Sequence, residues 1–404
     1  MGYRKFRASK LFTGLQLLGN EHVLITDDNG AVQEITTIEK AGDDIELFEG
    51  WLTPGFINCH CHLELSHMRG FIPEKTGLID FVFAVVTQRH FPEEEILEAI
   101  KNAEDEMVKN GIVAVGDICN NLHTLQQKTQ NNLAYYNFIE ASGWLPNISD
   151  QRFERSKMYY DEFLKVNPSS IVPHAPYSVS DNLWDAIRPF FQNKVASIHN
   201  QETRFEDDLF LNNTGDFVRM YEIMNIDHSF YQSTGKSSLQ SYFPKLASAS
   251  SRILVHNTFT SEADMQFVLQ FNNEQLETRN PKPQTQNLKP ETRNLKPETF
   301  FCLCVNANQY IESALPPIEI LRKSNAPIVL GTDSLASNWS LSIWDEIKTI
   351  RKHFPAISLE EILQWATLNG AKALEMQDKF GSFEKGKQPG VMLIDNFNSI
   401  KRLI

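Results

Sequence analysis

The stretch "TPGFINCHCHLELSHMRG", residues 53–70, sets His60 and His62 one residue apart in an apolar run, with Cys59 and Cys61 interleaved. Imidazole and thiolate are both good ligands for a borderline cation such as Zn²⁺. Residues i and i+2 of a strand share a face, so the spacing offers two metal readings. Either the histidines converge on an ion, or Cys59 and Cys61 do so together with Cys302 and Cys304 of "FFCLCVN". The second reading needs four sulfurs to meet from two distant strands, whereas small buried cysteines commonly serve as core filler. The histidines are therefore the expected working face, with the cysteines against the flanking helices.

Other reactive side chains recur in the same setting, at the ends of short apolar runs. His199 closes "VASIH" and is followed by Asn200-Gln201-Glu202; His256 closes "RILVH"; Asp333 closes "PIVLGTD", between Thr332 and Ser334. Any one of them alone could be a satisfied core histidine or a helix-capping carboxylate. A His-x-His pair, two further histidines and an aspartate at run ends, with a glutamate three residues past one of them, instead point to one metal-dependent site.

The elements that position these groups alternate in type. Apolar runs at 55–62, 112–118, 134–140, 170–174, 195–199, 252–256, 300–306 and 327–333 read as buried strands. Longer amphipathic segments lie between them, such as "EEEILEAIKNAEDEMVKNG" (93–111), which stops at Gly111. Eight strands with intervening helices predict an α/β protein, a (β/α)₈ TIM barrel, whose strand ends carry the active site. The barrel is expected over 53–379. A small discontinuous β domain is expected from 1–52, with its Asp28-Asn29-Gly30 hairpin, and from the Gly-punctuated tail 380–404.

One segment breaks the pattern. Residues 280–300 read "NPKPQTQNLKPETRNLKPETF", polar and proline-bearing at a seven-residue period. Proline and the lack of an apolar seam exclude a coiled coil, so a low-complexity insertion is expected at about 275–299.

Composition limits the partners. Of the 404 residues, 41% are hydrophobic and 22% charged, as in a folded globular protein. A net charge of −13 disfavours nucleic acid and anionic membrane surfaces, and no run reaches the ~18 apolar residues of a membrane helix. A small-molecule substrate is expected, and a homodimer is one candidate assembly. Five cysteines give no disulfide framework, which fits a reducing, cytoplasmic setting.

Over nearly its whole length the chain resembles the amidohydrolase superfamily, in particular its cytosine deaminase and chlorohydrolase branch. The motifs are "TPGFINCHCH", "IHNQE", "LVHNT", "GTDS" and the closing "FGSFEKGKQPGVMLID". In that last motif Pro389-Gly390 replace the usual Ala-Asp. The resemblance implies one divalent ion, zinc or else iron, held by His60, His62, His199 and Asp333. The fourth-strand end carries His174 in "VPHAPYSVS" where two-metal members carry a lysine, so a single ion is expected. His256 would polarise a bound water, Asp333 would take its proton, and Glu202 would protonate a ring nitrogen before ammonia leaves.

The stretch after His62 also resembles adenosine-type deaminases, and "HLELS" resembles the aminodeoxyfutalosine deaminases. That implies a 6-aminopurine nucleoside-like substrate. Arg69 would meet a carboxylate, Glu64 and His174 would meet purine or sugar, and Trp144, with Phe71, Phe81 and Phe83, would meet a ring. The alternatives are hydrolysis of another nitrogen heterocycle or ring amide, and a non-catalytic assembly protein on the same fold.

Overall fold

A computed structural model describes residues 2–279, 297–395 and 399–404. Most of the polar seven-residue repeat lies outside the described residues. Its expected borders are occupied by regular structure, because the helix Glu262–Arg279 runs past 275 and a strand begins at Glu298.

The described residues form a mixed α/β fold with two four-stranded parallel sheets. The first sheet contains the strands Phe56–Cys61, Ile112–Cys119, Ala134–Ala141 and Ser169–Pro173, each beside the one before it. Val195–Asn200, Ser251–His256, Glu298–Leu303 and Ile328–Leu330 make the second, also in chain order. Hydrogen bonds cross both gaps between the sheets. His199 N–H donates to the carbonyl of His174 at 3.0 Å, and Thr332 and Asp333 N–H donate to His60 at 3.0 Å. Asn58 ties the second gap through Thr332 Oγ1 at 2.7 Å.

These strands are nearly continuous apolar runs because both of their faces are covered. One core cluster, with Phe56, Ile139, Leu254 and Leu330, also takes in helix residues such as Ile100, Leu183 and Ile347. A second cluster holds Ile57, Phe138, Val172, Val255 and Val329. Glu93–Lys109 is amphipathic and buries Ile96, Ile100, Ala103 and Met107, a three-to-four-residue spacing.

The first strand departs from strict alternation. Its pairing register with Ile112–Cys119 shifts between Asn58 and Cys61. Cys59 therefore packs with Cys302 and Cys304 in the second cluster, while Cys61 packs in the first. The two cysteines do not share one helix-facing layer, as a regular period of two required, because the local irregularity changes the facing of residues on either side of it. All five cysteines are buried free thiols, and no group of them gathers as a metal cluster among the described residues.

The amphipathic segment 358–376 is also less regular than its sequence pattern. An α-helix, Leu359–Gln364, passes into a π-helical turn, Trp365–Asn369, and then a helical turn, Gly370–Ala373. A Cβ at Gly370 would lie 2.7 Å from Cβ of Ile57, so glycine permits the close approach to the first strand.

The terminal segments meet in one sheet. Met392–Asp395 pairs antiparallel with both Ser399–Arg402 and Trp51–Thr53, and Lys10–Phe12 continues the sheet on the other side of Trp51–Thr53. A separate sheet contains Tyr3–Arg7, His22–Asp27, Val32–Thr37 and Ile45–Leu47, with the turn closed by Gly30 N–H to Asp27 at 3.0 Å. No described helix is long and apolar enough to cross a membrane.

Candidate active site

Four ligand atoms converge at the ends of the first, fifth and eighth parallel strands. His62 Nε2 lies 3.2 Å from His60 Nε2, 3.3 Å from His199 Nε2 and 3.2 Å from Asp333 Oδ1, and His60 Nε2 lies 3.4 Å from the same oxygen. Ligands held about 2.0–2.1 Å from one ion stand roughly 3.3–3.4 Å apart along tetrahedral edges. The separations and the N₃O donor set both fit a divalent metal ion.

Electrostatics favour the same occupant. Burial pushes the His62 pKa down to about 4 and holds those of His60 and His199 below the ordinary imidazole range. Neutral imidazoles present lone pairs rather than protons to an ion. Burial opposes ionisation of Asp333, but the hydrogen bond from His60 and the neighbouring imidazoles outweigh it, leaving the carboxyl well below its usual range.

The supporting contacts fix these rings. His199 Nδ1 meets the carbonyl of His174 at 2.8 Å, which makes Nδ1 the donor and turns the Nε2 lone pair inward. His256 Nδ1 meets Asn308 Oδ1 at 2.9 Å, so its Nε2 is likewise an acceptor, 3.6 Å from Glu202 Oε2. Ser337 donates to Asp333 Oδ2, away from the ligand oxygen Oδ1. His256 and Asp333 are held at φ 73° and φ 59°. Such left-handed geometry costs on the order of 1–3 kcal/mol per residue and concentrates at functional sites.

Glu202 belongs to the loop after the fifth strand, and Glu206 holds that loop in place. Glu206 Oε1 and Oε2 accept the backbone N–H groups of Glu202 and Gln201 at 2.9 and 3.0 Å. Burial, with Asp333 second, raises the Glu202 pKa well above the carboxylate range. The surroundings thus favour the neutral form of one carboxyl and the ionised form of the other, the tendencies that suit one to donate a proton and the other to accept one.

The remaining expected residues divide. Glu64 is buried, with Oε2 accepting Asn120 N–H at 2.9 Å and Oε1 without a hydrogen-bond partner. Burial raises its pKa to about 7. The His174 ring stands against His199, centroids 4.8 Å apart, with Nδ1 2.8 Å from Ser178 Oγ. Trp144 is stacked on Tyr221 at 5.4 Å, in a cluster with Phe81, Tyr177 and Phe217. Phe71 and Phe83 are exposed.

Arg69 is not brought to this site. Its guanidinium forms a two-point pair with Glu106, at 3.1 and 2.5 Å, on the outside of the molecule. A cation within electrostatic reach of the site is Arg89, at the end of the helix Leu78–Gln88, whose charge acts on His62, Glu64 and Glu140. The sequence offered no signal for Arg89, which lies in a helix-end "TQRHF", and for Glu140 on the third strand it offered position alone. Asn120 Nδ2 donates to Glu140 at 2.8 Å, and Glu140 stands 3.4 Å from His199 Nδ1. The clue to Glu140 was its place at a strand end, the same rule that selected His199 and His256.

The chain is similar to several known proteins. A 5-methylthioadenosine/S-adenosylhomocysteine deaminase of Teredinibacter turnerae is 24% identical over 361 residues, 85% of this chain and 71% of that one. An adenosine deaminase of Helicobacter pylori is 25% identical over 397 residues, 93% and 88% of the two chains. The solved structure of H. pylori aminofutalosine deaminase in complex with methylthio-coformycin superposes with a TM-score of 0.76 at 21% identity, covering 96% of this chain and 91% of that one. The sequence profile of the amidohydrolase family matches residues 51–402, so the chain belongs to that family.

Proposed function

We propose that this protein is a metal-dependent hydrolytic deaminase that removes the exocyclic amine of a 6-aminopurine nucleoside-like substrate and releases ammonia. The observation that carries the reading is the placement of two buried carboxyls of opposite tendency, Glu202 and Asp333, beside four converging ligand atoms. The deaminase names of the relatives support the substrate class. The parallel strands are read as a closed (β/α)₈ barrel, with 1–52 and 380–404 as one small β domain.

Zinc is the ion best matched to three imidazoles and one carboxylate, and it supplies a Lewis acid that makes water a nucleophile at neutral pH. His60, His62, His199 and Asp333 Oδ1 would hold it. Asp333, kept ionised, accepts the proton that water gives up on adding to the ring carbon. His256, with its lone pair at Nε2, accepts a hydrogen bond from the adding water and orients it. Glu202, kept protonated, donates to the adjacent ring nitrogen. The carbon–nitrogen bond then breaks as the new hydroxyl returns a proton to Glu202 and becomes the ring carbonyl, and the proton relayed through Asp333 leaves with the amine as ammonia.

Glu64 Oε1, Glu140 and His174 line the pocket where polar atoms of purine or sugar are placed, with Trp144 in its aromatic wall. Arg89 takes the role of meeting an acidic substituent such as the benzoate of aminodeoxyfutalosine. Its charge acts on Glu64 and Glu140, which burial makes reluctant to ionise, and it makes no ion pair among the described residues. The test is ammonia release and the aminopurine-to-hydroxypurine absorbance change by the zinc-loaded chain over a panel of adenosine derivatives, aminodeoxyfutalosine included. Stoichiometric zinc with no ammonia from any of them would overturn the reading in favour of another heterocycle or an assembly role.

A further inference from the structure

A buried ion pair stands directly behind the His-x-His strand and takes no part in the chemistry above. Asp117, on the second parallel strand, and Lys128, at the end of the short helix Leu125–Lys128, meet at 2.5 Å with both side chains fully buried. Desolvating two charges costs several kcal/mol, and such a pair is weak evidence of stabilisation by itself. Its partners indicate what else it does. Asp117 Oδ1 accepts the backbone N–H of Leu63, the residue after His62, at 2.9 Å, and Asp117 is the register partner of Cys61, between the two histidines.

His62 needs such an anchor. His199 and His256 are each oriented through their own ring by His174 and Asn308, whereas among the described residues no hydrogen bond anchors Nδ1 of His60, which lies within the strand, or of His62, which ends it. At His62 the chain leaves the strand and enters the 3₁₀ turn Leu63–Met68, and its own N–H reaches Asp333 only at 3.5 Å. The charge-assisted bond to Leu63 N–H is the shorter restraint on that corner. Lys128 in turn is fixed by Asn137 Oδ1 at 2.8 Å and Cys119 Sγ at 3.2 Å, with Tyr135 and Phe163 packed at its ammonium.

We propose that Asp117 and Lys128 form a positioning device for the metal centre: Lys128 keeps a carboxylate in place whose one free oxygen holds the Leu63 amide, and thereby sets His62 at ligand distance. The proposal rests on His62 being a metal ligand and is independent of the substrate.

Two double variants separate positioning from plain stability, since neither leaves a lone buried charge. D117N/K128M retains an oxygen for the Leu63 amide, and D117L/K128M removes it. Zinc dissociation constants are measured by competition with a chromophoric chelator, and thermal midpoints are measured on the metal-free forms. D117N/K128M is expected to bind zinc like the unaltered chain, and D117L/K128M about 10–100-fold more weakly, the usual effect of losing a contact that supports a ligand. Should D117L/K128M fail to fold, D117S/K128M, whose hydroxyl is too short to reach the amide, takes its place. Equal zinc affinity in the folded variants with and without the acceptor overturns the proposal. An unaltered chain that binds no zinc at all refutes instead the ligand assignment on which it stands.

Discussion

Glu202→Gln isolates the proton donor with little disturbance to the fold. Glutamine has the same shape, and the loop is anchored through the backbone N–H groups of Gln201 and Glu202 on Glu206, which the substitution leaves intact. The side chain is 5% exposed, so no bulk water stands ready to replace the lost proton. General acid catalysis by a placed carboxyl contributes about 10²–10⁴ in rate, roughly 2.7–5.4 kcal/mol of barrier. The variant should therefore lose two to four orders of magnitude in kcat, with substrate affinity and zinc content unchanged. Because burial raises the Glu202 pKa, the unaltered enzyme keeps its donor protonated at neutral pH and should lose rate as pH rises through that raised value. The glutamine variant should lack this alkaline fall. Steady-state ammonia release across pH, with elemental analysis of each preparation, measures both effects. A variant with full zinc and more than about a tenth of the original kcat would refute the donor role.

Other expectations follow from the same geometry. His199→Ala and Asp333→Ala should each lose bound metal and turnover together, and metal retained in full by either would remove it from the ligand set. Stripping with a chelator should lower the thermal midpoint reversibly, since a metal ligand present at a thousand times its Kd stabilises by about 4 kcal/mol; an unchanged midpoint argues against a site of that strength. Asn308→Ala frees His256 Nδ1 and should cost about 10–100-fold in kcat with little change in KM, so a pure KM effect contradicts the orienting role. Arg89→Met should lower kcat/KM about tenfold or more for substrates with an acidic substituent and spare neutral ones, whereas Arg69→Met should discriminate between neither; a uniform loss in Arg89→Met would count against charge recognition.

The order of the chemical groups along the chain was legible because each sits at a strand end, where an apolar run stops at His, Asp or Glu. That pattern needs no knowledge of contacts: parallel strands buried on both faces must be apolar until they emerge, and what stands there faces the pocket. His60, His62, His199, His256 and Asp333 could be read in this way, and Glu202 followed from its distance to His199.

What the linear pattern could not decide depends on where side chains go after the strands end. The register shift at Asn58–Cys61 sends Cys59 and Cys61 into different cores, an outcome that a period of two cannot represent. Arg69 and Arg89 are both basic residues after the first strand, yet Glu106 on a neighbouring helix claims one while the fold brings the charge of the other to bear on Glu140. Glu140, Asn120, Asn308 and the Asp117–Lys128 pair lie from 9 to 59 residues from the groups they touch, and only the packed structure places them there. Sequence carries the identity of groups that a repeating local geometry presents. Which of them meet is set by long-range packing, because a hydrogen bond or ion pair depends on distances of a few ångströms that no local period encodes.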